Sequence, residues 1–370
     1  MEEIVLKKID EIADQMIDGI KTITKINSVQ DVPEKDKPFG KGVDLALEET
    51  LSLAKMLGFE TENVDHMMGI AKYGTGEDYI GIIGHLDVVP VGEGWKHDPF
   101  SCYEDENGRI FARGILDNKG PILANLYALY AIKECGIVLK HPVYILFGTN
   151  EETGFHDLKH YLEVRKPPIM GWTPDCKYPV VYAERGRGVY QVSSDSKYRY
   201  EFNDFVNEYL LSSSADANKL GLDIDDPEFG KMQLRNMKLV NTKMLTMEFT
   251  LSYPASISNE EIMEILQSKC TEHVSISCVH NYNPVRFEKD CFLCQTLKEA
   301  YEKVTGQDGT PVTTMGGTYA KLMPNIVPFG PSFPGQKGIG HNPNEWMDRK
   351  DIIENAKIYA LSILRVANGR

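Results

Sequence analysis

The sequence predicts an α/β protein of two domains, in which a mostly parallel sheet flanked by helices carries a smaller inserted α+β domain. Three observations predict this fold. Strand and helix patterns alternate from residue 78 to about residue 183, the alternation breaks between 184 and 284, and it resumes from 285. Alternating strands and helices are typical of parallel sheets. We therefore assign residues 1–183 and 285–370 to the larger domain and residues 184–284 to the insertion.

The larger domain is predicted to begin with a helix. Residues 1–23 carry apolar side chains at helical spacing among charges, which indicates an amphipathic helix packed on the core. The apolar run near 79–87 predicts a buried strand. The other predicted elements are helices near 41–57, 120–135, 156–165, 292–305 and 348–367, and strands near 109–114, 143–149, 179–183 and 326–329.

The inserted segment has a different pattern. It predicts two helices and three strands without the strict alternation of the flanking regions. Helices with antiparallel strands are typical of an α+β domain. The predicted helices lie near 201–211 and 259–270, and the strands near 231–239, 244–253 and 274–278.

The composition is that of a globular protein with a large core. The 370 residues are 42% hydrophobic and 25% charged, enough to bury a large core. A net charge of −14 without a basic stripe excludes nucleic acid and anionic membrane surfaces as partners. No apolar run approaches the ~20 residues of a membrane span, and the N-terminus does not resemble a signal peptide. Seven scattered cysteines, an odd number, indicate reduced thiols and a cytoplasmic protein.

His85 and Asp87 close the predicted strand near 79–87. In an extended chain alternate side chains share a face, so these two side chains point the same way. A histidine that binds a metal commonly donates its other ring N–H to a carboxylate. By itself the pair also fits a hydrogen-bonded histidine at a strand end.

Further acids follow other predicted strands. Asp117 lies at a predicted strand-to-helix turn, before Gly120 and Pro121. Glu151 and Glu152 follow the strand near 143–149 and are bracketed by glycines. Adjacent carboxylates at a strand end point in different directions, so one can bind a metal while the other acts on water. Taken alone, a pair of adjacent glutamates is as typical of a solvent-exposed surface as of a metal site.

Taken together, these motifs resemble a known family. GHLDVVP, the later NKGP, the paired glutamates of NEETG and the histidine of GHNPNE are similar in order to the dinuclear metallopeptidases. That family includes PepV-like and Sapep-type dipeptidases, glutamate carboxypeptidases, aminoacylases and succinyl-diaminopimelate desuccinylases. GEGWKHDPFSCYEDENGRIFARGILDNKGP and FGPSFPGQKGIGHNPNE resemble the PepV-like branch nearly throughout. The resemblance is strong in the larger domain and partial in the insertion, which corresponds to a lid.

The resemblance implies a metallopeptidase-type catalytic domain with two divalent cations. His85 and Asp175 would bind one, Glu152 and His341 the other, and Asp117 would bridge them. It also implies that Asp87 orients His85 and that Glu151 is the general base. Two such ions acidify a water between them and polarise the scissile carbonyl, and a glutamate takes the water's proton. The mixed nitrogen and oxygen ligands suit zinc, with manganese or cobalt as alternatives.

The resemblance also suggests substrate contacts and a special peptide bond. The peptide from Asp117 to Asn118 is expected to be cis. Asn150 is expected to shape the site, and the loop before Tyr319 to allow close approach of substrate. The predicted substrate-binding residues are Asn150, Gly316, Gly317, Thr318 and Lys321, where Lys321 stands in the place of an expected arginine.

The lid departs from the family pattern. No histidine occurs between Ala183 and Glu272, although relatives carry one there that stabilises the oxyanion. Ser252 stands where relatives have an arginine that grips the substrate carboxylate. Relative to the long double lid of PepV-like enzymes, about a hundred residues are missing near Tyr200. A natural relative with a reduced lid, an engineered chain and a sequence that omits a segment would each explain this.

Two functions of different classes follow. The first is a hydrolase that cleaves dipeptides or short peptides, with an N-acyl amino acid amidohydrolase as its competitor. The second is a metal-binding pseudoenzyme with an impaired lid. A small peptide is the expected partner, and the protein is expected to be a monomer or a homodimer. The other histidines have no acid partner at matching spacing in the sequence and are expected to have structural roles: His66, His97, His141, His156, His160, His273 and His280. Cys291 and Cys294 are expected to be a chance CxxC spacing.

Overall fold

A computed structural model describes residues 1–241 and 244–369 of the chain. They form two units. The first comprises residues 1–181, 288–312 and those from 318 onward, and the second comprises residues 182–287 and 313–317. No helix among the residues covered by the structure is both long and apolar enough to cross a membrane.

The helices and strands are numbered in chain order. The helices are α1 (Glu2–Glu11), α2 (Ala13–Thr24), α3 (Lys41–Met56), α4 (Lys119–Glu134), α5 (His156–Val164), α6 (Arg199–Phe205), α7 (Asn259–Gln267), α8 (Phe292–Thr305) and α9 (Arg349–Ala367). The strands are β1 (Glu60–Val64), β2 (Met68–Tyr73), β3 (Ile80–His85), β4 (Tyr103–Glu104), β5 (Arg109–Phe111), β6 (Val143–Gly148), β7 (Met170–Thr173), β8 (Cys176–Lys177), β9 (Val181–Glu184), β10 (Gly186–Asp195), β11 (Asp225–Asp226), β12 (Gly230–Lys231), β13 (Gln233–Asn241), β14 (Met244–Tyr253), β15 (Ser275–Tyr282), β16 (Val285–Arg286), β17 (Val312–Thr314), β18 (Ile326–Pro328), β19 (Pro331–Ser332) and β20 (Trp346–Asp348).

The first unit is built on a six-stranded sheet with the order β1-β2-β6-β3-β7-β18. β3 runs parallel to β6 and β7, and β18 runs parallel to β7. β1 and β2 form an antiparallel hairpin at one edge. The α/β class with a largely parallel sheet is confirmed, because the parallel strands form its centre and helix α4 is buried along most of its length.

Several predicted elements differ from the structure. The segment near 109–114 gives only the short strand β5, which pairs with β4 and β20 outside the main sheet. The segment near 179–183 gives β9, which pairs with β16 and not with the central strands. Strands β1, β2 and β7 were not predicted. β7 has four residues, too few for periodicity to show it.

The predicted N-terminal helix is two helices. α1 ends before Ile12 and α2 begins after it, and Ile12 has φ −100° and ψ 9°, outside the helical region. The break lets each helix bury its own apolar residues. Val5 and Ile9 are buried on α1, and Met16 and Ile20 are among those buried on α2.

The second unit has an antiparallel four-stranded sheet with the order β13-β14-β10-β15. Tyr190 and Val192 alternate with less buried residues along β10 and pack into the core, as expected for a sheet covered on one face. That core includes Phe202 of α6 and Ile262 of α7. The chain passes from β10 into α6 over three residues, and α6 continues as a π-helical turn over Val206–Leu211.

Candidate metal centre

The carboxyl ends of neighbouring parallel strands bring the predicted site residues together. His85 ends β3, and it is paired in register with Gly148, the last residue of β6. Glu151 and Glu152 follow β6 within four residues, and Asp175 follows β7 within two. Ligand sites in open α/β sheets lie at this edge because the loops that leave parallel strands meet there.

His85 faces two of the predicted ligands. Its Nε2 lies 3.1 Å from Asp117 Oδ1 and 3.6 Å from Asp175 Oδ2. Its Nδ1 lies 2.8 Å from the main-chain carbonyl oxygen of Asp87. In the neutral tautomer that donates from Nδ1 to this carbonyl, the Nε2 lone pair points at the carboxylates, as a metal ligand requires.

Asp87 contacts three of the predicted site residues. Its carboxylate Oδ1 is 3.5 Å from His85 Nδ1, and its own carbonyl oxygen is closer to that nitrogen, at 2.8 Å. The two carboxylate oxygens also accept hydrogen bonds from the backbone N–H groups of Glu151 and Glu152, each at 3.1 Å. The chain leaves the extended conformation after His85, so the alternation that placed both side chains on one face ends there. Asp87 therefore positions three predicted site residues.

His341 completes the other half of the cluster. Its Nε2 lies 2.8 Å from Glu152 Oε1 and 3.1 Å from Asp117 Oδ2. The two oxygens of Asp117 thus face different histidines, Oδ1 towards His85 and Oδ2 towards His341. The peptide bond between Asp117 and Asn118 is cis, as the resemblance implies.

The donor atoms fit divalent cations. Among the described residues, His85, Asp117 and Glu152 form one group whose ligand atoms all lie within 4.8 Å of one another, and His85, Glu151 and Asp175 form another. Two donors on one tetrahedral zinc, each about 2.0–2.2 Å from it, lie roughly 3.3–3.6 Å apart. The separations of 2.8–3.6 Å between imidazole nitrogens and carboxylate oxygens are close to this value.

The electrostatics of the cluster are those of crowded anions. Burial, and then the charge of Asp175, raise the pKa of Glu151 well above its ordinary value. Burial, and then the charge of Asp117, do the same to the pKa of Asp175. Burial alone would lower the pKa of His85, but the carboxylates of Asp117 and Asp87 beside its ring raise it. Buried carboxylates in excess of their counter-charges are stabilised by cations, so the charge balance also suits metals.

A buried ion pair supports the loop that carries Asp117. Glu345 accepts hydrogen bonds from the backbone N–H groups of Gly114, Leu116 and Asp117 at 3.0, 2.9 and 3.1 Å. Arg113 Nη1 donates to its other oxygen at 2.7 Å. Glu345 was not predicted as a site residue. Its only signal was its place four residues after His341, because its partners are more than two hundred residues away in sequence.

Replacing Glu345 with alanine is expected to lower the free energy of unfolding by about 3–5 kcal/mol, because the Arg113 charge would stay buried without its partner. Urea unfolding monitored by circular dichroism measures this. Glu77→Ala is the matched control, since Glu77 pairs with Lys166 on the exposed surface, where such pairs contribute about 0–1 kcal/mol. Equal losses in the two variants would contradict a supporting role for Glu345.

A second buried carboxylate holds the turn after β6. Asp157 accepts hydrogen bonds from the backbone N–H groups of Thr149 and Asn150 at 2.6 and 2.9 Å, and from the Tyr319 hydroxyl. The Asn150 side chain donates to Thr153 and accepts from the His156 backbone N–H. The predicted substrate residue Asn150 is therefore a buried part of this turn.

The other predicted substrate residues are divided between the two units. Gly316 and Gly317 are exposed and belong to the second unit. Thr318 and Lys321 belong to the first, where Thr318 is buried and caps a short helical turn through the Ala320 N–H. Their roles towards substrate remain predictions.

Two of the remaining histidines contact acids in the structure. His66 Nδ1 lies 2.7 Å from Asp44 and His160 Nε2 lies 2.7 Å from Asp65. Both acids are distant in sequence, which is why spacing did not reveal them. His97 and His273 instead stack on Tyr103 and Tyr198.

In the second unit, Ser252 has an arginine beside it. Arg185 donates from Nε to Ser252 Oγ at 3.0 Å and from Nη2 to the Ser252 carbonyl at 2.8 Å. The same guanidinium also donates to the carbonyls of Phe229 and Lys231, and it is buried. Its donors are therefore largely used in holding β14 to the neighbouring turn.

Known proteins are similar to this chain over nearly its whole length. It is 28% identical to a Bacillus subtilis (strain 168) protein named "Putative dipeptidase YtjP", over 99% of each chain. It is 28% identical to the "Beta-Ala-Xaa dipeptidase" of Lactobacillus delbrueckii subsp. lactis, over 95% of each. The crystal structure of human carnosine dipeptidase 1 matches with a TM-score of 0.73 at 16% identity, covering 99% of this chain and 98% of that one.

The alignment with the Bacillus protein also shows a difference in length. It runs over 463 positions, whereas this chain has 370 residues, so at least 93 positions hold no residue of this chain.

The family description "Peptidase family M20/M25/M40" matches residues 81–365, a span that includes His85, Asp117, Glu151, Glu152, Asp175 and His341. This span is more than half of the chain, and it covers every predicted metal-binding residue. The chain belongs to peptidase family M20/M25/M40, and it is a hydrolase of the metallopeptidase type.

Proposed function

We propose that this protein is a dipeptidase that uses two divalent cations to hydrolyse the amide bond of dipeptides or short peptides. The observation that carries the proposal is the cluster at the strand ends, in which Asp117 turns one oxygen to His85 and the other to His341. The dipeptidase names of the relatives support the substrate class. Zinc suits the mixed imidazole and carboxylate donors, and manganese or cobalt could replace it.

The proposed roles follow from the contacts. His85 and Asp175 would hold one cation, Glu152 and His341 would hold the second, and Asp117 would contribute an oxygen to each. Bound cations would acidify a water and polarise the scissile carbonyl. Glu151 would take a proton from the attacking water and pass it to the leaving amine. Burial raises the pKa of Glu151 above its ordinary value, and a higher pKa favours uptake of a proton.

Asp87 would couple the two halves of this machinery. Its carbonyl fixes the ring of His85, and its carboxylate fixes the backbone of Glu151 and Glu152. An asparagine side chain keeps the shape but has only one acceptor oxygen, so it can satisfy only one of the two backbone N–H groups.

Asp87→Asn is expected to lower kcat/KM or metal affinity about tenfold to a hundredfold, the usual effect of losing a group that orients metal ligands. Steady-state kinetics with zinc titration measure both quantities. Asp18→Asn, on the exposed face of α2, is the control and should change neither. Unchanged kcat/KM and unchanged metal affinity in Asp87→Asn would contradict the proposed role of Asp87.

The main test of the proposal is a metal-titrated assay against a dipeptide panel that includes β-alanyl dipeptides and N-acyl amino acids. Cleavage of dipeptides with release of the free amino acid supports the proposal. Selective cleavage of N-acetyl or N-succinyl amino acids would favour the amidohydrolase alternative.

A metal-binding pseudoenzyme is the second candidate, favoured by the Ser252 position and by the absence of a histidine between Ala183 and Glu272. Loss of one oxyanion donor lowers rates on the order of a hundredfold to a thousandfold. If two cations bind but no substrate of the panel is hydrolysed, this result would support the pseudoenzyme and contradict the proposed dipeptidase function.

A further inference from the structure

A cavity of about 500 Å³ opens beside the predicted metal ligand Glu152. Its size is within the range of about 300–1,000 Å³ found for small-molecule sites. We name it the side pocket, and it is formed by the segments Val29–Asp31, Asp87–Pro90 and Glu152–Thr153. All three segments belong to the first unit, and none of the roles proposed above uses the cavity itself.

The walls of the side pocket are held firmly. Val29 and Val88 form a parallel bridge, and the Ser28 hydroxyl donates to the Leu86 carbonyl at 2.6 Å. The Val88 N–H donates to the Ser28 carbonyl at 3.2 Å. The segment after β3 is thereby tied to the segment after α2. A pocket with fixed walls can discriminate between side chains by shape and charge.

The lining of the side pocket combines apolar residues with acidic ones. Val29, Val88, Val89 and Pro90 supply the apolar surface. Gln30 is engaged with the turn that carries the glutamates, because its Oε1 accepts from Asn150 Nδ2 at 3.2 Å and from the Thr153 hydroxyl. Asp31 differs. Among the described contacts its carboxylate accepts one hydrogen bond, from the Val32 N–H at 2.7 Å, and it has no ion pair.

A side chain with an aliphatic stem and a terminal cation complements this lining. The stem would cover the valines, and the charged end would reach Asp31 at the solvent-exposed side. Because Glu152 lines the same cavity, a substrate whose carbonyl lies at the metal centre is placed to extend into it.

We propose that the side pocket binds the side chain of the substrate's amino-terminal residue, and that Asp31 selects side chains that end in an amine, as lysine does. This inference rests on the proposed dipeptidase function. It adds a specificity-determining residue that takes no part in the chemistry.

The test compares lysyl-alanine with norleucyl-alanine, which has the same stem without the ammonium group. In the Asp31→Asn enzyme the ratio of kcat/KM for the two substrates is expected to fall by up to about fivefold, the usual range for an exposed ion pair. Asp36→Asn, an exposed aspartate five residues along the same loop, should leave the ratio unchanged. The preference should also shrink as salt is raised, because exposed charges are screened.

Reversing the charge at position 31 is a second, independent test. In the Asp31→Lys enzyme, the substrate preference measured by kcat/KM is expected to shift towards glutamyl-alanine. The asparagine variant should fold normally, because its side-chain oxygen can still accept from the Val32 N–H. An identical ratio in wild type, Asp31→Asn and Asp31→Lys would overturn the assignment of the pocket while leaving a dipeptidase in place.

Binding separates failure of the pocket from failure of the proposed function. Calorimetric titration of both dipeptides into the zinc-loaded Glu151→Gln chain measures affinity without turnover. One outcome is that the wild type cleaves no dipeptide, but lysyl-alanine binds more tightly than norleucyl-alanine and loses this advantage when Asp31 is replaced. This outcome would support the proposed role of the side pocket and contradict the dipeptidase function. Equal affinities of the two ligands, with or without Asp31, overturn the pocket.

Discussion

Glu151→Gln is expected to lower kcat by about a hundredfold to ten-thousandfold while two cations stay bound. Glutamine has the shape of glutamate but cannot take a proton from water, and general bases contribute a factor of this size. The backbone of Glu151 is fixed by Asp87, so the substitution should leave the turn in place. Steady-state kinetics and metal analysis of the same preparation test both parts of the prediction.

Glu152→Gln is the matched control for this experiment. The two glutamates are adjacent, and the same carboxylate accepts both of their backbone N–H groups, yet only Glu152 contacts His341. The control is expected to lose one cation, whereas Glu151→Gln keeps both. Glu151 also belongs to a group of potential ligands with His85 and Asp175. Loss of a cation in Glu151→Gln would therefore make Glu151 a ligand and contradict its role as base.

Asp117→Asn is expected to abolish detectable turnover and to remove most of the stabilisation that metals give the wild type. A ligand that binds only the folded state at a hundred times its Kd stabilises that state by about 2.7 kcal/mol. Asparagine has one acceptor oxygen where Asp117 offers two, one to each histidine, so it cannot bridge two cations in the same way. Thermal unfolding with and without zinc, after treatment with a chelator, measures the difference.

The metal dependence should itself depend on pH. Protons compete with cations for the ligands, and burial raises the pKa of Asp175 above its ordinary value. The zinc concentration needed for half-maximal stabilisation is therefore expected to rise as the pH falls from 8 to 6.

For Asp117→Asn, zinc stabilisation equal to that of the wild type would contradict the prediction, because it would show that the cations bind elsewhere.

Much of the centre could be predicted because it depends on local features. His85, Glu151 and Glu152 each follow an apolar run long enough to identify as a strand, and the ends of parallel strands meet at one edge of a sheet. The ligand roles themselves came from the order of motifs and remain a proposal. The α/β class with its largely parallel sheet could be predicted from the alternation of strand and helix patterns.

What could not be predicted depends on contacts between distant residues. Nothing near Glu345 in sequence indicates that its carboxylate accepts the backbone N–H groups around Asp117. The sequence pattern predicts that the strand continues to Asp87, whereas in the structure it stops at His85. The Asp87 carbonyl oxygen therefore lies closer to the His85 ring than the Asp87 carboxylate does, which the pattern does not predict. β7 was missed because so short a strand leaves no periodic pattern.

The meeting of Asp117 with His341 has a consequence for how the molecule is made. The two residues are separated in sequence by the whole second unit and by α8, and the Arg113–Glu345 pair spans a similar distance. During synthesis on the ribosome, His85 and Asp117 emerge long before His341. Contacts between such distant segments form late, because a long loop must close first. A nascent chain can thus present His85, Asp117 and Asp175 before the second histidine has been synthesised.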